Sequence, residues 1–177
     1  MSLIQTNAIT TVAGKPILNS TGSILQVVQS VYSDSFAAAP GANTFATLPI
    51  SLSIIPSSST SKILLTVDIY LGAQSYQTSL RCLRNGTLLI PGTASGSRTQ
   101  TTFYSNAYSS SSPQYQVIRV GGSILDSPAT TSTVNYTFTA KDYATYYILM
   151  NRSYQFQNTA DYDNVGSSTV TAMEISG

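Results

Sequence analysis

The chain has 177 residues, and only 8% of them are charged, with 8 Lys and Arg residues against 7 Asp and Glu residues. Soluble domains average about 25% charged residues, and the few cations here form no basic run of the kind that neutralises phosphates, so nucleic acid is excluded as a partner. The chain contains no His, which excludes Ser-His-Asp and Cys-His catalysis and histidine-bound zinc. The length suits one domain with its own core.

Residues 1–22 are predicted to form an extended N-terminal arm ahead of a single domain, residues 23–177. Pro16 biases Lys15 toward an extended conformation, and Gly22 indicates a turn. The N-terminus has neither the basic nor the apolar region of a signal peptide, and no segment approaches the roughly 20 apolar residues of a membrane span. We therefore expect synthesis in a cytoplasm and no membrane insertion.

Short runs of alternating Val, Ile, Thr, Tyr and Phe residues follow the arm, a pattern typical of half-buried strands. Residues 24–32 are the first predicted strand, and their double apolar steps indicate either burial on both faces or a bulge. Residues 45–54 alternate from Leu48 onward, and Pro49 favours an edge strand or a strand start. In residues 62–71 every second residue is apolar, which predicts a strand with one buried face.

Asn85 and Gly86 form the strongest hairpin signal of the sequence. They connect a predicted strand over residues 76–84 to a returning strand over residues 87–90. Cys82 lies on the apolar side of the first of these strands, and it has no second Cys with which to form an intrachain disulfide. We therefore interpret it as a buried, inert thiol rather than a reactive one.

The second half of the chain begins with residues 93–113, which are rich in Ser, Thr, Gly and Asn and predict a long loop around one weak strand near residues 101–104. Further strands are predicted over five later runs, residues 115–120, 124–125, 134–140, 145–150 and 169–175. About nine or ten strands at this spacing predict an all-β sandwich or barrel. No segment has the apolar period of a helix.

Six segments are more informative together than singly, because turns with Asn-Gly and strands with Ser and Thr are common. They are Ile9 to Val27, Ser61 to Val67, Leu83 to Thr87, Leu125 to Ser132, Ile148 to Ser153 and Ser168 to Gly177. In this order they resemble a family of tail-fibre and related virion surface proteins of tailed bacteriophages, of the marine or cyanobacterial type. The resemblance implies a jelly-roll-like antiparallel β-sandwich, commonly trimeric, on a virion. Such domains usually lie at the C-terminal end of a much longer fibre, whereas only the predicted arm precedes the sandwich in this sequence.

The acidic residues offer one candidate metal site. Asp161, Asp163 and Asn164 form a local group of oxygen ligands that could hold Ca²⁺, although turn-forming side chains are the alternative interpretation. A glycosidase needs two carboxylates across the bond that it cleaves, and nothing in the sequence pairs the seven acids. We therefore expect no enzymatic activity and no cofactor.

Three tyrosines near the Ser-rich loop are the candidate ligand-binding residues: Tyr104, Tyr108 and Tyr115. Tyr offers a flat apolar face and one hydroxyl group at low entropic cost, which suits sugar stacking as well as subunit interfaces. The alternative interpretation is ordinary half-buried packing. Loops at the end of a sandwich commonly bind ligands, so these residues carry the binding hypothesis.

Two functions follow from the resemblance and the composition. The first is a non-enzymatic, tail-fibre-like or fibre-tip virion protein that forms a homotrimer and attaches to a host surface glycan or protein. The second is a capsid decoration, cement or head-fibre protein on the virion shell. In both, the arm docks onto other virion proteins or is exchanged between subunits, through Ile4, Ile9, Val12, Lys15, Pro16, Ile17 and Leu18. The lack of paired acids disfavours a polysaccharide depolymerase.

Overall fold

The computed structural model describes residues 21–41, 43–72, 77–106, 113–142, 147–159 and 163–177. Eleven strands lie in these ranges: β1 Ile24–Tyr32, β2 Phe36–Ala38, β3 Ala46–Ile54, β4 Lys62–Gly72, β5 Gln77–Arg84, β6 Thr87–Leu88, β7 Phe103–Asn106, β8 Val117–Asp126, β9 Val134–Asp142, β10 Ile148–Met150 and β11 Ser168–Ile175. Over the same ranges the one helical element is a 3-10 turn, Pro113–Tyr115. None of the helical structure described is long and apolar enough to span a membrane.

The strands form two antiparallel sheets. In the first sheet β1, β11, β4 and β8 are neighbours, and the short strands β10 and β2 extend the rows of β11 and β1 beyond one end. In the second sheet β3, β9 and β5 are neighbours, and β7 and β6 both pair with the free side of β5. The chain thus passes from one sheet to the other at β3, β4, β5, β8, β9 and β10, which is the jelly-roll arrangement. The predicted all-β, jelly-roll-like antiparallel sandwich is confirmed.

The core lies between the inner faces of the two sheets, and the alternation in β4 shows how the sequence builds it. The buried side chains of this strand are those of Ile63, Leu65, Val67, Ile69 and Leu71. Tyr136 and Phe138 of β9, both fully buried, face them from the second sheet. Burying one side chain of this size contributes about 1.5–3 kcal/mol. Because burying several such side chains on one face is favourable, the period-two pattern determines which face of each strand turns inward.

Two irregularities occur where the sequence indicated them. The pairing of β1 with β11 shifts between Ile24 and Gln26, so a bulge accounts for the first double apolar step of β1, Ile24 and Leu25. Pro49 lies in edge strand β3, inside a second shift of register between Thr47 and Ser51. Pro has no backbone N–H to donate, and an irregular edge position tolerates that loss.

Strand β8 corrects the sequence prediction, which divided it into residues 115–120 and 124–125. The strand is continuous and pairs with β4 along its whole length. Gly121 interrupts the apolar pattern, yet the fold requires a glycine there. A Cβ atom at this position would lie 1.9 Å from the carbonyl oxygen of Val67. The close approach of two backbones, rather than a strand break, explains this residue.

Smaller corrections concern the short strands. Strand β2 was not predicted, because its three residues are too few to show an alternation. Strand β7 begins at Phe103 rather than at residue 101, and β10 begins at Ile148, while residues 145–146 of its predicted range lie outside the described residues. Strand β6 ends at Leu88, two residues earlier than predicted. In each case backbone pairing, which single-sequence patterns do not report, determines the bounds.

The predicted hairpin between β5 and β6 is present. Asn85 and Gly86 have φ angles of 48° and 84°, as a tight two-residue turn between antiparallel strands requires. Cys82 in β5 is fully buried, and burial, followed by the charge of Asp126, raises the pKa of its thiol to about 12. Its predicted burial is confirmed, and at neutral pH the thiol is protonated and unreactive.

Candidate ligand-binding site

Residues 89–102 connect β6 to β7 and form a loop that we call the covering loop. Its two ends are joined, because the hydroxyl of Thr102 donates to the carbonyl of Leu89 at 2.9 Å. The same hydroxyl accepts from the backbone N–H of Cys82 at 2.9 Å, and the N–H of Thr102 donates to the carbonyl of Leu80 at 3.0 Å. One threonine therefore closes the loop and attaches it to β5, the anatomy of a compact Ω-loop.

Hydrogen bonds inside the covering loop fix its shape. The side-chain amide of Gln100 donates to the carbonyl of Gly92 at 2.8 Å, and the N–H of Gly92 donates to the carbonyl of Thr101 at 3.3 Å. The guanidinium of Arg98 donates to the hydroxyl of Ser95 at 3.0 Å. The loop thus satisfies much of its own polar backbone without regular secondary structure.

A pocket of about 340 Å³ lies between the covering loop and the start of β7. Tyr104 borders it, and its side chain is 75% exposed. A ring this exposed contributes little to the core and presents its face to the solvent. The residues that shape the pocket include Ile90, Arg98, Thr99, Gln100 and Thr102. The site therefore combines one aromatic face, several hydroxyl groups and one cation.

A second pocket, of about 320 Å³, lies beside the end of β4. It brings together Tyr115 and Asn164, which the sequence proposed for different purposes, with Tyr70, Val117, Ser153 and Val165. Tyr104 and Tyr115 border different pockets, so the structure separates two of the three candidate tyrosines. Tyr108 lies outside the described residues.

Asp163 closes a loop in the second pocket's neighbourhood. One carboxylate oxygen accepts from the hydroxyl of Ser153 at 3.0 Å, and the other accepts from the backbone N–H of Gln157. Asp161 lies outside the described residues, and within the described part of the chain no group of three or more His, Cys, Asp or Glu side chains could hold a metal ion. The calcium site at Asp161, Asp163 and Asn164 stays a prediction.

The residues predicted for docking, Ile4, Ile9, Val12, Lys15, Pro16, Ile17 and Leu18, also lie outside the described residues. Sequence reasoning missed Thr102 and Arg98, because a Thr in a Ser/Thr-rich loop and a lone Arg give no distinguishing pattern. The covering loop itself was partly signalled, since a long polar segment between strands is often functional.

Neither of the two pockets has an Asp or Glu among its described lining residues. Their surfaces offer aromatic, hydroxyl and amide groups for contact with a ligand. No protein-family model and no curated protein sequence matches the chain.

Proposed function

We propose that the chain is a non-enzymatic structural protein of a bacteriophage virion, a tail-fibre-like or fibre-tip β-sandwich that attaches to the host surface. The observation that carries the proposal is Tyr104, an exposed ring beside a pocket of hydroxyl and amide groups. Sugars stack on such rings while their hydroxyl groups exchange hydrogen bonds with neutral polar side chains. The sequence resemblance to phage tail-fibre proteins supports the same function.

The test is adsorption of the purified chain to host cells. We expect Tyr104→Ala, alone or with Tyr108→Ala, to weaken adsorption without lowering the melting temperature, because the ring of Tyr104 lies outside the core. Tyr104→Phe is the matched variant, since it keeps the ring and removes only the hydroxyl, and it should adsorb nearly as well as the parent chain. Unchanged adsorption of Tyr104→Ala would exclude this pocket as the attachment site.

The alternative function is a capsid decoration, cement or head-fibre protein. An apolar row across the outer face of the first sheet favours it. In this row Val27 pairs with Met173, Met173 with Leu64, and Leu64 with Leu125. Val27 is 58% exposed and Leu125 is 55% exposed. Together with the low charge of the chain, this row fits a face that another copy or a shell protein covers.

Location distinguishes the two functions. Gold labelling of particles against this chain should stain the tail if the chain is fibre-like, and the head if it decorates the shell. Light scattering on the purified chain tests the proposed homotrimer, and Leu125→Ser should lower its mass if the apolar row forms the subunit interface. Ile55, which is 60% exposed and lies outside the row, provides the matched control Ile55→Ser, which should leave the mass unchanged.

A further inference from the structure

Two positively charged side chains approach one aromatic ring on the outer face of the second sheet. The guanidinium of Arg81 lies 3.9 Å from the centre of the Phe45 ring, and the ammonium of Lys141 lies 5.5 Å from it. Arg81 belongs to β5 and Lys141 to its neighbour β9. The face of the ring attracts each cation, while the two cations repel each other. The fold therefore concentrates positive charge at Phe45.

Neutral oxygens surround these two cations. Arg81 donates to the carbonyl of Gln100 at 3.0 Å, and Lys141 donates to the hydroxyl of Thr99 at 2.9 Å and to the side-chain oxygen of Asn43 at 3.5 Å. Burial, and then the charge of Arg81, lower the pKa of Lys141. These oxygens accept hydrogen bonds but carry no negative charge. They therefore do not neutralise the positive charges of Arg81 and Lys141.

Two acids of the described chain, Asp68 and Asp126, pair with cations other than those at Phe45. The ion pairs found among the described residues are Arg84 with Asp126 and Arg119 with Asp68. The sequence contains no Asp or Glu between Asp68 and Asp126, an interval that includes β5, the covering loop and β7. Arg81 therefore lies in a long acid-free part of the chain, and the carboxylate next to Lys141, that of Asp142, is buried on the opposite face of β9. An external anion at the outer face meets the attraction of these cations.

A third cation lies at the adjoining pocket. Arg98 borders the Tyr104 pocket together with Thr99 and Gln100. These are the same two residues whose oxygens contact the cations beneath the covering loop. The covering loop thus links the exposed ring of Tyr104 to three positive charges. An anion at this place could also contact an aromatic face and several hydroxyl groups.

We propose that Arg81, Lys141 and Arg98 form an anion-binding site for an acidic polysaccharide, whose sugar rings contact Tyr104. The ligand class is a saccharide that carries carboxylate or sulfate groups. Arg98 offers a planar fork of donors that suits such an anion, and the pair at Phe45 supplies the long-range attraction. The proposal rests on the proposed attachment function, for which it names the class of host ligand.

A saccharide fits this site better than a nucleic acid does. Proteins that bind nucleic acid through its backbone commonly neutralise about 6–10 phosphates, whereas this site offers three cations. Single-strand binding also uses several aromatic platforms for successive bases, and the pocket offers the one exposed ring of Tyr104. Three charges with one ring and many hydroxyl groups match a polymer that is sparsely charged and rich in hydroxyl groups.

The test measures binding of the full chain to polygalacturonate, dextran sulfate, neutral dextran and a single-stranded oligothymidylate. We expect the carboxylated or the sulfated polymer to bind, with an affinity that falls as salt rises. Arg98→Gln should weaken binding by about tenfold, because a charge-assisted hydrogen bond is lost. Lys141→Met, which keeps the aliphatic stem beside Phe45, should weaken binding less than Arg98→Gln does and mainly at low salt, because it removes long-range attraction. Melting temperatures show whether each variant is folded.

Arg119→Gln is the matched control, since Arg119 is an exposed cation on the outer face of the first sheet, where it is paired with Asp68. Arg119→Gln removes one positive charge, as Arg98→Gln does. It should change the affinity less than about twofold, because salt screens the effect of a charge on the other sheet. Equal loss in Arg119→Gln and Arg98→Gln would overturn the site in favour of general charge attraction. Equal binding of neutral dextran, or tighter binding of the oligothymidylate, would also overturn it.

The outcome separates this site from the attachment function. A chain that adsorbs to host cells through Tyr104 but binds neither charged polymer retains the attachment function and refutes the acidic-saccharide site. A chain that binds a charged polymer, with the expected loss in Arg98→Gln, supports the site even where gold labelling places the chain on the head. Comparison of the two polymers then identifies carboxylate or sulfate as the group that is bound.

Discussion

The two ends of the first sheet hold their connecting segments with different chemistry. At the end where β4 begins, buried carboxylates of Glu174 and Asp126 accept hydrogen bonds from the neighbouring loops and strands. At the end where β4 finishes, the neutral carboxamide of Asn151 makes the corresponding hydrogen bonds to the neighbouring segments. Since a carboxylate titrates and a carboxamide does not, the two ends should respond differently to acid.

Glu174 joins three parts of the chain at the charged end. Its side chain is fully buried, and its carboxylate accepts from the N–H and the hydroxyl of Ser57 at 2.7 and 2.6 Å, and from the amide of Gln26 at 2.6 Å. Burial opposes the charge, but these hydrogen bonds outweigh burial and lower the pKa from its usual 4.5 to about 2. The turn after β3 is therefore held by an ionised group.

Asn151 joins the segments of the neutral end. Its amide nitrogen donates to the carbonyls of Tyr32 and Asp34 at 2.8 and 3.0 Å, and its side-chain oxygen accepts from the hydroxyl of Ser168 at 2.6 Å. Its backbone N–H donates to the carbonyl of Tyr70 at 2.9 Å. The second pocket, with Tyr115 and Asn164, lies at this end, and the contacts of Asn151 contribute no titrating group to it.

The largest expected effect is the loss of the carboxylate in Glu174→Ala. The substitution removes the buried, charged acceptor to which Ser57 and Gln26 donate. It should lower the free energy of unfolding by about 3 kcal/mol, because these donors lose their hydrogen bonds to Glu174. Chemical denaturation at pH 7 and fixed protein concentration measures this. The control Asp68→Ala removes an acid from the exposed pair with Arg119, and it should cost less than about 1 kcal/mol. Equal losses in both variants would refute the special role of Glu174.

At the neutral end, Asn151→Ala should lower the free energy of unfolding by about 2 kcal/mol, because it removes three side-chain hydrogen bonds from a buried position. Asn151 has a φ angle of 60°, a conformation that Asn and Gly adopt more readily than Ala. Asn151→Gly separates the two contributions, and it should be more stable than Asn151→Ala by about 1 kcal/mol. A Gly variant no more stable than the Ala variant would show that the hydrogen bonds alone matter.

Acid distinguishes the two ends directly. The pKa of Glu174 is lower in the folded chain, at about 2, than its usual 4.5, so the stabilisation from its carboxylate is present above pH 4.5 and is lost as the pH falls toward 2. We expect the free energy of unfolding to fall by about 1–2 kcal/mol between pH 5 and pH 3. Glu174→Gln should be less stable at pH 7 and should lack most of this slope, whereas Asn151→Ala should keep it. A parental slope in Glu174→Gln would assign the acid sensitivity to other carboxylates.

The sequence predicted the features that depend on neighbouring residues. Apolar residues at every second position of β4 established its buried face, and the pair Asn85 and Gly86 established the hairpin, because both are local properties of the chain. The tyrosines were recognised by their chemistry, yet the division of Tyr104 and Tyr115 between two pockets depends on how β7 and the segment before β8 are placed.

The long-range contacts could not be predicted from the sequence, because they depend on residues that are far apart along the chain. Glu174 bonds to Ser57, 117 residues away, and Asn151 bonds to the carbonyl of Tyr32, 119 residues away. Each is one unremarkable polar residue in a strand or turn until the sandwich places its partner beside it. The cluster of Phe45, Arg81 and Lys141 is similar, because its three members come from three separate segments. Topology creates these sites, and local patterns do not encode topology.

The smallest expected effect tests the second carboxylate of the charged end. Asp126 accepts from Arg84 at 2.7 Å and from the hydroxyl of the fully buried Tyr136 at 2.8 Å. Burial, followed by the hydrogen bond to Asp126, raises the pKa of Tyr136, so the phenol is a proton donor at any moderate pH. Tyr136→Phe should cost about 1 kcal/mol, the net value of one such bond, because Arg84 still neutralises the carboxylate. A loss as large as that of Glu174→Ala would mean that Arg84 alone cannot compensate Asp126, and that the two carboxylates of this end depend equally on their neutral donors.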